Sequence, residues 1–155
     1  MKLRNAALIV LMAAALIVPS VQARAQEDHA SIMLETIGTL SAQGVYLTYG
    51  AIGSVADGYA KKIYTKELTT QLLTEYATLS GSAAKQLEKL AASGALSAED
   101  VGYVNKLVST YNHLIAEANG YKNYVSTGKQ EHVKVYSDER EKAWAAISDL
   151  LGLKK

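Results

Sequence analysis

Hydrophobic residues recur at helical spacing along most of this chain, and no stretch alternates with period two over a strand's length. Four segments carry that spacing. The first, over about 28–62, has Met33, Ile37, Leu40, Gly44, Leu47 and Ala51 three and four apart, a seam along one helix face. The second, over about 66–92, has Leu68, Leu72, Tyr76, Leu79, Ala83, Leu87 and Leu90. The third, over about 98–126, repeats most cleanly: Val101, Val104, Val108, Tyr111, Ile115, Ala118, Lys122 and Val125, widened by Leu107, Leu114 and Tyr121. The fourth, over about 129–151, carries Val133, Tyr136, Arg140, Ala143, Ile147 and Leu150, with Trp144 and Leu151 alongside.

Polar punctuation separates these segments. Thr65 and Ser97 are placed to cap helix starts, and Glu99 and Asp100 suit the positive end of the third helix. Gly94 and Gly128 stand where helices end in a left-handed residue. Similar lengths joined by short links favour antiparallel neighbours. The expected fold is all-α, an antiparallel up-down-up-down four-helix bundle.

The N-terminus reads differently. Met1 to Asn5 is short and basic, and Ala6 to Val18 is an apolar run of 13 residues. That is short of the about 20 residues a membrane-spanning helix needs. Pro19-Ser20 follows, then Ala23-Arg24-Ala25, small residues where a signal peptidase cuts. The expectation is a cleaved secretory signal peptide over 1–25 and a single bundle domain over 26–155, exported to the periplasm or beyond. No later apolar run is long enough to span a membrane.

Composition narrows the function classes. The leader carries Lys2, Arg4 and Arg24 and no acid, which leaves 13 basic against 15 acidic residues, a net charge of −2. Such a surface has no electrostatic footprint for nucleic acid. There is no cysteine, hence no disulfide, lipid anchor, c-type haem attachment or thiolate metal site. Ten tyrosines and no phenylalanine make the aromatic complement unusually polar.

Candidate chemistry is sparse. No nucleophile elbow, P-loop, dinucleotide fingerprint or zinc-protease motif occurs, so catalysis is not expected. None of His29, His113 and His132 follows a glutamate by three residues, so the di-metal motif of helical bundles is missing, and no cofactor is expected. His113 and Glu117 lie four apart, opposite the Val/Ile stripe, and read as a solvated pair. Arg140 is the anomaly, a cation on an apolar seam. It calls for a carboxylate, with Glu35 and Glu75 as candidates, or reaches water by snorkelling.

Gly38, Gly44, Gly50, Gly53 and Gly58 crowd the first segment, and residues 44–59 are apolar on nearly every side. A helix apolar all round is covered all round. The expected function is therefore binding or assembly, with a second copy or another protein docked on 44–59. Tyr46, Tyr49, Gly50, Gly53, Tyr111 and Arg140 are the candidate interface or ligand residues. The alternative is a small-ligand or sensor bundle whose pocket is lined by Tyr46, Tyr49, Tyr111 and Arg140. N-terminal sequencing of the exported protein should begin at Gln26; finding Met1 on most of it removes the leader.

Overall fold

The computed structural model describes residues 18–153. They form four α-helices and, among the described residues, no strand: α1 Val18–Ala60, α2 Lys66–Ala91, α3 Ala98–Thr127 and α4 Gln130–Leu150. Most of the expected leader lies outside the described residues. Its last residues, 18–25, belong to α1. The chain divides into two compact units, 1–39 and 40–155. In the first, the described residues are all helical, and Ile32 and Met33 are exposed.

The breaks fall where the polar punctuation sits. Thr65 accepts from the Leu68 amide at 3.2 Å, and Ser97 accepts from the Asp100 amide at 3.1 Å. Gly128 closes α3 in the left-handed region at φ 73°, its amide donating to the Tyr124 carbonyl. α1 ends without a glycine. The Ile63 amide donates to the Gly58 carbonyl at 2.8 Å and the Lys62 amide to the Tyr59 carbonyl at 2.9 Å. That is a Schellman closure, and Lys62 occupies its left-handed position at φ 58°.

Within residues 40–155 the helix packing is compatible with a bundle. α3 packs against both α2 and α4. It meets α2 where Ile115 touches the space over Gly81, and where the Lys66 ammonium donates to the Ser126 carbonyl at 3.1 Å. It meets α4 at Lys106–Asp149, His113–Glu139 and Glu117–Arg140. α1 touches α3 through two tyrosine hydroxyls, Tyr111 to the Ser41 carbonyl and Tyr121 to the Ala56 carbonyl. It touches α4 through Arg140 and Trp144. The core is Val45, Ile52, Leu73, Leu107, Leu114, Ala118, Ala143 and Ile147. Gly120 sets the α3–α4 approach: a Cβ there would lie 2.8 Å from the Tyr136 backbone nitrogen.

Two of the four expected stripes, those of α1 and α2, turn out rotated. In α1 the buried residues are Ala42, Val45, Ile52, Val55 and Ala56, while Met33, Leu40 and Leu47 of the expected seam are exposed. In α2 Leu73 is buried and Leu79 is 66% exposed. In α3 Val104, Tyr111, Ala118 and Val125 of the expected stripe are buried, as are Leu107, Leu114 and Tyr121 beside it, while Val108 and Ile115 are only half-buried. The α3 face also takes in two polar residues. Thr110 is buried because its hydroxyl bonds the Lys106 carbonyl at 2.8 Å, and Glu117 because it meets an arginine. Reading only apolar residues left both out. α4 keeps its expected stripe, with Ala143 and Ile147 at the centre.

The rotation is testable. Leu114→Ala should cost about 2–5 kcal/mol through lost burial and a cavity, and Leu79→Ala less than about 0.5 kcal/mol. Gly120→Ala should destabilise despite a helix-propensity gain of about 1 kcal/mol, because the Tyr136 backbone blocks the methyl. Urea unfolding of the three variants checks all of this; a stabilised Gly120→Ala would mean that α3 and α4 stand further apart.

Candidate functional site

The densest chemistry sits where α1, α3 and α4 meet, around Arg140. The Glu117 side chain is fully buried, 0% exposed, and its Oε1 accepts from Arg140 Nη1 at 2.6 Å. The same Nη1 donates to the Tyr49 carbonyl oxygen at 3.2 Å. The guanidinium lies over the Tyr49 ring, 3.9 Å from its centroid, with the Tyr136 ring at 5.9 Å. Gly53 makes the room: a Cβ there would stand 2.5 Å from Arg140 Nη2. Glu117 Oε2 is buried without a hydrogen-bond partner among the described residues. Trp144 extends the cluster, its ring 5.4 Å from Tyr49 and 6.4 Å from Tyr46.

The electrostatics follow from burial. Glu117 is pushed up to about 7 by desolvation, which outweighs the opposing hydrogen bond and charge of Arg140. Burial also raises the Tyr136 hydroxyl to about 12 and lifts that of Tyr49. Beside this centre Glu139 accepts from Lys142 at 2.6 Å and pairs with His113 Nδ1 at 2.7 Å. Burial alone would raise the Glu139 carboxyl, but its bonds to Lys142 and His113 outweigh that and hold it below the usual range. Two expectations are corrected here. His113 and Glu117 are not a solvated pair, because Glu117 faces the core and His113 bonds across to α4. The carboxylate that answers Arg140 is Glu117, whereas Glu35 is exposed and Glu75 bonds Gln71 at 2.9 Å.

The structure brings Tyr49, Gly53 and Arg140 into direct contact and leaves the other candidates apart. Tyr46 is exposed beside Trp144. Gly50 faces open space among the described residues, with none of them within 4 Å of a Cβ built on it. Tyr111 is buried against an earlier stretch of α1, its hydroxyl beside Gly44 and donating to the Ser41 carbonyl. Gly53 points inward at Arg140, so it is no part of an outer docking face. Glu117, Tyr136 and Trp144 complete the cluster. Glu117 carried a signal that went unread: it is three residues after Leu114 and four before Tyr121, both core residues.

The arrangement is an aromatic-walled buried ion pair. No side chain in it is both a nucleophile and paired with a base, and no group of three or more metal-ligating side chains occurs among the described residues. Compared with known protein families, curated proteins and solved structures, the chain matches none of them.

The pair has a directional consequence. Folded Glu117 holds its proton up to about 7, while the unfolded carboxyl releases it near 4.5. Between those values the folded state binds more proton, so stability falls as pH rises through the window. Arg140→Met leaves a buried carboxylate without its cation and should cost about 3–5 kcal/mol at pH 8, and less at pH 5, where Glu117 is protonated. Glu117→Gln should flatten the pH dependence. Urea midpoints at both pH values decide it; equal Arg140→Met penalties would mean that Glu117 does not titrate there.

Proposed function

We propose that this chain is an exported, non-enzymatic bundle of up-down-up-down order that works by assembly, docking a second copy of itself on the outer stripe of α1. The antiparallel order is supported by the paired positions along the helices: Lys106 with Asp149 and Gly120 with Tyr136 between α3 and α4, Lys66 with Ser126 between α2 and α3. Export rests on the leader-like order of residues 1–25, and no helix among the described residues is long and apolar enough to cross a membrane.

One observation carries the assembly reading. The outward stripe of α1 holds Leu40, 62% exposed, and Leu47, 68% exposed, with Gln43, Gly50 and Ser54 completing its turns. Leu40 and Leu47 are one heptad apart, as are Gln43 and Gly50. No residue of that set is charged. An identical neutral face meets no like-charge penalty when it pairs with itself across a two-fold axis. Gly50, with open space over it, is where a second helix can approach most closely. Tyr46, Leu47 and Leu151 line a cleft of about 210 Å³ beside the stripe, which a side chain of the second copy would fill.

Sedimentation velocity tests this. The parent should be a dimer at tens of micromolar, and Leu47→Glu should shift it to monomer by placing a charge in a desolvated contact, with helicity unchanged. Gly53→Ala should lower stability through Arg140 and leave the dimer intact. A parent monomeric at the highest soluble concentration, or a dimer unmoved by Leu47→Glu, overturns the reading.

A further inference from the structure

The turn between α1 and α2 carries a second feature that assembly does not use. A cleft of about 430 Å³ opens there between the last turn of α1 and the C-terminal half of α3. Four tyrosines line it: Tyr59, Tyr64, Tyr121 and Tyr124, with Lys62 and Thr65 at the turn. It shares no residue with the outer stripe of α1.

The walls are held in place by the protein itself. Tyr121 donates to the Ala56 carbonyl at 2.9 Å. Tyr59 meets the Tyr121 ring edge-on, centroids 6.3 Å apart at 88°, and Tyr124 tilts against the same ring at 5.6 Å. The Tyr64 ring lies in the space over Gly58, where a Cβ would come within 2.5 Å of it. Rings fixed in this way lose little freedom when a ligand arrives. Tyr59, Tyr64 and Tyr124 remain half-exposed, so parts of their surfaces are open to a guest.

The charge at the rim selects among guests. Lys62 is the one charged side chain lining the cleft among the described residues. It holds the left-handed position of the Schellman turn, φ 58°, where glycine is the ordinary choice. The neighbouring Lys66 ammonium is engaged by the Ser126 carbonyl at 3.1 Å. An exposed ammonium beside aromatic walls disfavours a cationic guest, although tyrosine faces alone would welcome one. It favours a guest that stacks a flat ring on the tyrosines and turns an anionic group to the rim.

We propose that this cleft binds a small planar aromatic carboxylate, its ring among Tyr59, Tyr64, Tyr121 and Tyr124 and its carboxylate on Lys62. The volume lies within the range of about 300–1,000 Å³ usual for small-molecule sites.

Isothermal titration calorimetry on the full chain tests it with three probes: 1-naphthoate, the uncharged 1-naphthalenemethanol and the cation benzyltrimethylammonium. 1-Naphthoate should bind saturably at one site. Lys62→Asn removes the charge with a side chain that tolerates the left-handed region, and should weaken 1-naphthoate about three- to fivefold. Tyr124→Leu should weaken it about three- to tenfold through lost ring contact. 1-Naphthalenemethanol should bind the parent as weakly as 1-naphthoate binds Lys62→Asn. Circular dichroism confirms that each variant keeps its helix, and Tyr59→Leu replaces one that does not. No saturable binding of 1-naphthoate, binding unmoved by both substitutions, or tighter binding of benzyltrimethylammonium overturns the proposal.

Discussion

The contact between Glu117 and Arg140 constrains everything packed around it. Removing a carboxylate from water costs several kcal/mol, and attraction to a guanidinium repays that only with good geometry and further hydrogen bonds. Here the repayment is incomplete: one carboxylate oxygen has a 2.6 Å partner and the other has none among the described residues. The arginine is the less buried member, its side chain 29% exposed, so its cost is smaller. The imbalance falls on Glu117, which is why its proton affinity rises although a cation touches it. A buried pair of this kind is weak evidence for stability and better read as a device of register. It requires α1, α3 and α4 to present Gly53 and Tyr49, Glu117, and Arg140 at one level. A slide of any one helix by a turn strands the carboxylate.

That requirement accounts for one glycine that helix propensity disfavours. Glycine within a helix loses about 1 kcal/mol relative to alanine. Gly53 is compensated because the guanidinium fills the volume of its missing Cβ and bonds the α1 backbone at Tyr49. Gly58 is used in the same way by the Tyr64 ring, and Gly44 by the Tyr111 hydroxyl. Gly50 has no such neighbour within residues 40–155, and its open surface is continuous with exposed Leu47. Glycines of one segment thus serve opposite faces. Composition alone cannot separate the inward glycines from the outward one.

Element boundaries were legible because caps are local chemistry. Thr65, Ser97 and Gly128 act within three or four residues of themselves, so their meaning survives without the fold. Faces were less so. In α4 the expected stripe holds the buried Ala143 and Ile147, and only Val135 and Trp144 among its large apolar residues are exposed. In α1 apolar residues occur all round, so the seam through Leu40 and Leu47 fitted the spacing as well as the true face through Val45 and Ile52. In α3 the true face contains Thr110 and Glu117, polar residues that count against burial until their partners are known. Arg140 announced that a carboxylate was needed, but which one depends on how α3 and α4 lie together, and nothing in the order of residues states that.

The absence of phenylalanine acquires a physical reason from the α1–α3 contact. Tyr121 packs its ring against Tyr59, Tyr124 and Tyr136, as phenylalanine would, yet its hydroxyl also reaches the Ala56 carbonyl at 2.9 Å. Tyr111 does the same toward Ser41 at a longer 3.5 Å, a weaker contact by its length. Both acceptors are helix carbonyls with a second lone pair to offer beyond the one used in the helix. A ring that only filled volume would let α1 slide over α3, since apolar contact is not directional. A hydroxyl on a particular carbonyl fixes the height. With no cysteine in the chain, such bonds and the Glu117–Arg140 pair carry positional information that a disulfide supplies in other small domains. Tyrosine is therefore the aromatic suited to a bundle in which α1 must keep one face in register inside while presenting Leu40 and Leu47 outside.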